Sequence, residues 1–110
     1  MTDRPTVLVI DDETGSRESM ALAIEKAGLG VRTFDDAREA LGYLQEHGDI
    51  RLAVCDLRMP EMDGLAFLEE VRERQLELGV ILVTGFGSIE SAVEAMQVGA
   101  DDYLTKPVDL

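Results

Sequence analysis

Leu52 to Val71 reads LAVCDLRMPEMDGLAFLEEV, and strand, loop and helix signals follow one another within it. Leu52–Cys55 is short and continuously apolar, which suits a strand covered on both faces. Asp56 stands immediately at its end. Pro60 and Gly64 shape a loop under which Met59 and Met62 are expected to pack, and Cys55 is expected to be a small core residue. Leu65, Leu68 and Val71 then recur at loose helical spacing. A strand, an acidic strand end and a helix in that order form one unit of an alternating α/β chain.

The same unit repeats on either side. Thr6–Ile10 (TVLVI), Val31–Phe34 (VRTF), Val80–Val83 (VILV) and Tyr103–Leu104 read as further strands. Met20, Ala23, Ile24 and Ala27 fall at i, i+3, i+4, i+7, as do Ala37, Ala40, Leu41 and Leu44, and again Ile89, Ala92, Val93 and Met96. Asp36 with Glu39 reads as a capping box, Ser88 as an N-cap, and Gly28 and Gly99 as C-terminal glycines. The order βαβαβαβαβ implies a parallel sheet with helices on both faces and right-handed crossovers. Ligands in such folds collect at the carboxyl ends of the strands.

Composition limits what the chain does there. Its 110 residues fit one compact domain, 1–110, that needs no disulfide or metal to fold. Ten basic against twenty-three acidic residues leave a net charge of −13, which repels nucleic acid and anionic lipid. A single cysteine excludes an internal disulfide and any multi-thiolate metal site. No apolar run reaches membrane-spanning length, and MTDRPTV lacks a signal-peptide core, so a cytoplasmic location is expected.

Asp11, Asp12 and Glu13 follow the first strand, Asp56 the third, Thr84 the fourth and Lys106 the fifth. A doubly wound sheet brings all of them to one end. Carboxylates held close together raise one another's pKa unless a cation joins them, and Mg²⁺ suits a few carboxylates with room left for phosphate oxygens. A carboxylate is also a nucleophile toward phosphorus, and a metal, a lysine and a hydroxyl together neutralise a phosphoryl group in transfer. Each feature alone has a plainer explanation: paired aspartates cap turns, and a lone threonine or lysine is commonly structural or solvated. Their conjunction at four strand ends favours the chemical one.

The stretches Asp11-Asp12, Asp56-Leu57-Arg58-Met59-Pro60-Glu61-Met62-Asp63-Gly64, Thr84-Gly85 and Lys106-Pro107 resemble the signature of bacterial response regulator receiver domains, from the first strand to the chain end. The resemblance implies a flavodoxin-like, doubly wound five-stranded parallel sheet in the order 2-1-3-4-5. It implies that Asp56 accepts a phosphoryl group from a sensor histidine kinase. Asp12, Asp56 and the Arg58 backbone carbonyl would bind Mg²⁺ directly and Asp11 through water. Thr84 and Lys106 would each hold a phosphoryl oxygen, and Tyr103 would be the switch aromatic that moves inward with Thr84. Lys106-Pro107 is expected to be cis. Such a domain is a signalling module that catalyses its own phosphorylation and dephosphorylation.

Thr84-Gly85-Phe86-Gly87-Ser88-Ile89 and Ala92-Val93-Glu94-Ala95-Met96 further resemble receivers of the nitrogen-regulator and nitrogen-fixation-regulator types, which sit before transcriptional output domains of DNA-binding or ATPase kind. Family members continue past the position of Leu110 into a fifth helix. The resemblance therefore implies a chain cut before that helix, with apolar sheet surface left open to self-association as a homodimer or to a borrowed helix. Arg58 and Phe86 occupy the two positions that tune phosphate lifetime in the family, and the bulk of Phe86 and the positive charge of Arg58 are expected to restrict attack by water.

Other functions fit the residues less well. A phosphatase of the haloacid dehalogenase type would place a second aspartate where Arg58 stands. A flavin module would need a Ser/Thr/Gly loop after the first strand, where Asp11 and Asp12 would repel its phosphate. His47, near the end of the second helix, is expected to be solvated or to interact with the helix dipole, with no part in phosphotransfer.

Overall fold

In the computed structural model, which describes residues 5–107, strands and helices alternate throughout. They are β1 (Thr6–Ile10), α1 (Thr14–Lys26), β2 (Gly30–Phe34), α2 (Ala37–Glu46), β3 (Leu52–Asp56), α3 (Gly64–Glu73), β4 (Gly79–Thr84), α4 (Ile89–Val98) and β5 (Asp102–Thr105). The strands form one sheet in the order β2-β1-β3-β4-β5, every pair parallel. The chain steps from β1 out to β2, then returns past β1 to β3. That reversal opens a crevice at the carboxyl ends of β1 and β3.

The continuous apolar runs are explained by burial on both faces. Leu8 and Ile10 of β1, Cys55 of β3 and Leu82 of β4 face a large core closed by Leu41 of α2 and Phe67, Leu68 and Val71 of α3. Their neighbours Val7, Val9 and Val83 face a smaller core with Met20 and Ile24 of α1. Among the described residues α1 is the only helix on this second face. An apolar groove of about 180 Å³ remains beside it, lined in part by Val7, Met20, Leu52, Val54, Ile81 and Leu104. Ala27, expected on the buried stripe of α1, lies at the groove and is exposed.

Two local expectations are corrected. Asp36 caps α2 by accepting the Arg38 N–H at 2.8 Å, while the Arg38 guanidinium grips the same carboxylate at 3.2 and 2.9 Å; it makes no reciprocal box with Glu39. The box is instead at α4, where Ser88 and Ser91 cap one another. The larger correction concerns the α4 stripe. Only Ala95 of that helix is buried, while Ile89 is 84% exposed and Val93 and Met96 50% each. α4 lies at the β5 edge of the sheet and sets Ala95 into the core, with Val98 partly buried against it. Ile89, Val93 and Met96 point to solvent.

Candidate functional site at the strand ends

The backbone brings the acidic residues together. β1 and β3 pair as far as Ile10 and Cys55, so Asp11 and Asp56 leave the sheet side by side. The Asp11 N–H donates to the Phe34 carbonyl (3.0 Å), extending the sheet one residue past β1, and the Arg17 guanidinium donates to the Asp11 carbonyl (2.8 Å). Asp11 and Asp56 are buried, and Asp12 is exposed. Carboxylate oxygens of the three aspartates lie within 4.8 Å of one another.

The loop after Asp56 is packed tightly. Leu57 N–H donates to the Val83 carbonyl (2.8 Å) and Gly64 N–H to the Leu57 carbonyl (2.9 Å), folding the loop back on its own strand. Asp63 caps α3 by accepting the Ala66 N–H at 2.8 Å. Gly64 is required by close approach: a Cβ there would lie 2.5 Å from the Asp56 carbonyl oxygen and 2.9 Å from Leu57 Cα. Met59 and Met62 pack against the larger core as expected.

β4 and β5 supply the other two groups. Thr84 is buried, and its hydroxyl oxygen accepts the Phe86 N–H at 3.2 Å. Lys106 N–H donates to the Thr84 carbonyl (2.9 Å), and the Lys106-Pro107 bond is cis. The Lys106 ammonium reaches Asp11 Oδ2 at 2.9 Å and Asp56 Oδ2 at 3.5 Å. Arg58 is exposed, with its N–H 3.5 Å from Asp56 Oδ1. Tyr103 lies on β5 outside this cluster, with its hydroxyl 2.7 Å from Ser91 Oγ on α4. Phe86, in the loop that follows Thr84, is 78% exposed.

Electrostatics separate the two central carboxylates. Burial raises the Asp56 pKa and the Asp11 charge raises it further, with Lys106 only partly offsetting both. Burial would raise Asp11 too, but hydrogen bonds from Ser16, Lys106 and the Glu13 amide outweigh it and hold the group below its usual range. Lys106 would lose its proton more readily through burial, yet its bond to Asp11 and the charges of Asp56 and Asp11 raise its pKa. Cys55 behind Asp56 is pushed up by burial and by those same charges, which keeps it an unreactive thiol.

Among the described residues, this is the one cluster of metal-ligating side chains, and its donors are all oxygens. An incompletely neutralised trio of carboxylates with open access through Asp12 fits a hard divalent cation. Sequence reasoning missed the Arg17 bond, since a guanidinium on a carbonyl leaves no spacing signal. It also placed His47 without its partner: the ring stacks on Tyr43 (centroids 3.8 Å apart, planes 10° apart), and Nδ1 lies 2.9 Å from the Tyr43 carbonyl oxygen.

Comparison with known proteins bears on the family and the fold. The response regulator receiver domain family matches residues 7–110. Transcriptional regulatory protein FixJ of Bradyrhizobium diazoefficiens is 38% identical over 109 residues, covering 99% of this chain and 53% of that protein. DNA-binding transcriptional regulator NtrC of Salmonella typhimurium is 41% identical over 108 residues, covering 97% of this chain and 23% of that protein. The chain thus spans about half of the first relative and about a quarter of the second. The crystal structure of FixJ-N superposes with a TM-score of 0.85 at 35% identity, covering 99% of this chain and 86% of that one. A receiver protein from Pseudomonas putida gives 0.89 at 37% identity, covering 99% and 91%. The chain belongs to the response regulator receiver domain family, among relatives of the nitrogen-regulator and nitrogen-fixation-regulator types.

Proposed function

We propose that residues 1–110 act as one receiver unit in which Asp56 accepts a phosphoryl group from the phosphohistidine of a sensor kinase. One observation carries this reading: Asp56, at the end of β3, has the Lys106 ammonium 3.5 Å away and oxygens of Asp11 and Asp12 within 4.8 Å. An Asp56 carboxylate oxygen attacks phosphorus, the P–N bond of the donor breaks, and an acyl phosphate forms. The raised pKa of Asp56 makes its carboxylate a stronger base and so a better nucleophile.

Asp12, Asp56 and the Arg58 carbonyl would hold Mg²⁺, with Asp11 behind them. When bound, Mg²⁺ supplies positive charge for the phosphoryl oxygens. Lys106 neutralises one phosphoryl oxygen and Thr84 donates its hydroxyl to another. The new charge of about −1.5 to −2 makes these contacts valuable only after phosphorylation, which is what draws Thr84 and then Tyr103 inward. The domain thus catalyses only the gain and loss of its own phosphate, and Arg58 and Phe86 set how readily water reaches it.

The signal leaves through the α4–β5 face. Phe86, Ile89, Val93 and Met96 form an exposed apolar surface there, the kind that marks a protein contact. Its partner is a DNA-binding or ATPase output domain in the longer protein or a second receiver in a homodimer. The net charge of −13 argues against direct contact with nucleic acid. No helix is long and apolar enough to cross a membrane among the described residues, consistent with a cytoplasmic role.

Mass spectrometry after treatment with acetyl phosphate and Mg²⁺ tests the central claim. One phosphoryl group is expected on the wild type and none on Asp56→Asn or after chelation. An adduct that survives Asp56→Asn, or no adduct in the wild type, overturns it.

A further inference from the structure

α4 is fastened differently at its two ends. At its C-terminal end the Arg72 guanidinium reaches from α3 and donates to the Gly99 carbonyl through Nε (3.2 Å) and Nη2 (2.7 Å). The same group donates to the Leu78 carbonyl (2.7 Å) and to Asp101 Oδ2 (3.0 Å). Asp101 Oδ2 also accepts the Val80 N–H at 2.8 Å, and the Asp101 N–H donates to the Val80 carbonyl at 2.9 Å. Gly99, with φ at 114°, turns the chain so that its carbonyl meets the guanidinium. The last turn of α4 is thereby tied to α3, to the start of β4 and to the turn into β5.

The N-terminal end has far less to hold it. Ile89 stands in solvent, and among the described residues the side-chain hydrogen bond from this end of α4 to the sheet is the one between Ser91 Oγ and Tyr103 Oη, at 2.7 Å. Ser91 is already engaged in the cap: its N–H donates to Ser88 Oγ (3.1 Å), and its Oγ accepts the Ser88 N–H (3.2 Å). The Tyr103 hydroxyl also lies against the loop after Thr84. A Cβ on Gly87 would sit 3.1 Å from that hydroxyl, 3.2 Å from Thr105 Cγ2 and 3.5 Å from Thr84 Cγ2. Thr84, Gly87 and Tyr103 are therefore in one packed contact, and Thr84 holds the Phe86 N–H of the same loop.

We propose that Ser91 is a positioning residue for the switch: its hydroxyl latches Tyr103 to the N-terminal turn of α4, and α4 swings about the Arg72 clamp when that latch opens. This rests on the reading of Asp56 as phosphoacceptor. A displacement of Thr84 toward the phosphoryl group moves the 85–87 loop that it holds and disturbs the packing around the Tyr103 hydroxyl. The Ser91–Tyr103 bond exists only in the latched arrangement, so it stabilises that arrangement against the other. One neutral hydrogen bond shifts such an equilibrium by roughly three- to tenfold.

The test compares wild type, Ser91→Ala, Tyr103→Phe, the double variant and Ser91→Thr. Amide hydrogen exchange of residues 86–94 is measured without phosphodonor, and Asp56 phosphorylation by acetyl phosphate with Mg²⁺ is followed by mass spectrometry. Each single substitution is expected to speed both by roughly three- to tenfold. The double variant should match Ser91→Ala, and Ser91→Thr should behave as wild type because it keeps the hydroxyl. Additive effects in the double variant would reduce Ser91 to a helix cap and overturn the latch, as would an unchanged phosphorylation rate in Ser91→Ala. A wild type that takes no phosphate refutes the phosphoacceptor reading instead, and the exchange data then decide the latch alone.

Discussion

Lys106 and Asp11, 95 positions apart in sequence, are joined by a 2.9 Å ion pair in which the carboxylate is wholly buried and the lysine only partly exposed. Asp56 is the more distant partner of the same ammonium, at 3.5 Å. Lysine therefore serves first as counter-charge to Asp11, and a phosphoryl group on Asp56 would compete for it.

Lys106→Met should expose the cost of that burial. The variant leaves Asp11 with Ser16 and the Glu13 amide but without its ammonium. A loss of about 2 kcal/mol is expected, below the full value for a buried pair because the lysine reaches solvent. Urea unfolding measures it, and adding Mg²⁺ should restore part of the loss by supplying another cation. A variant as stable as wild type with chelator present would mean that Asp11 is adequately solvated.

Asp56→Asn should be more stable than wild type at neutral pH when metal is chelated. Burial, then the Asp11 charge, raises the Asp56 pKa, so the folded state holds this proton more tightly than the unfolded chain does. Ionisation thus destabilises the fold as pH rises from the unfolded value of about 3.9 through the folded one. The penalty is complete above the folded pKa and absent below the unfolded one. Melting temperatures across pH should show the asparagine advantage at pH 7 closing toward acid. An advantage that persists unchanged into acid would assign it to packing.

Two glycines should respond to alanine in opposite directions. Gly64→Ala forces a methyl group against the Asp56 carbonyl and the Leu57 backbone, neither of which can yield, and should cost about 2 kcal/mol or more. Gly42 lies inside α2 with nothing within 4 Å of a new Cβ, so Gly42→Ala should stabilise by about 0.5–1 kcal/mol. Denaturant midpoints separate the two, and phosphorylation should be impaired only by the first.

How far the sequence reached follows from what each residue contacts. The inner strands TVLVI, LAVC and VILV announce themselves as apolar runs because they are largely buried, while the edge strands VRTF and Tyr103-Leu104 are only partly so; all five lay within a residue or so of those stretches at each end. Strand order was different: nothing in those runs says which strands are neighbours, and the 2-1-3-4-5 order came only through the resemblance. Asp11, Asp56, Thr84 and Lys106 could be read as site candidates because each stands at the carboxyl end of a strand. The contacts of Arg17 and Arg72 could not, since both side chains seek backbone carbonyls that carry no residue-specific signal. The stripe on α4 misled for a further reason. Helical periodicity shows that a face is apolar, but it cannot say whether this domain or a partner covers it.

That ambiguity has a direct test in Ile89→Glu and Val93→Glu. Both positions are exposed, so each substitution should change stability by no more than about 0.5 kcal/mol. A core role would instead cost several times as much, as Ala95→Glu should by burying a charge. Sedimentation velocity on the phosphorylated domain should show concentration-dependent association for wild type and its loss in the two surface variants. Their added charge opposes contact between copies of a chain already at −13. Intact melting with lost association would make the stripe an interface. Melting lowered as far as in Ala95→Glu would return it to the core, and α4 would then have to sit closer to the sheet than it does here.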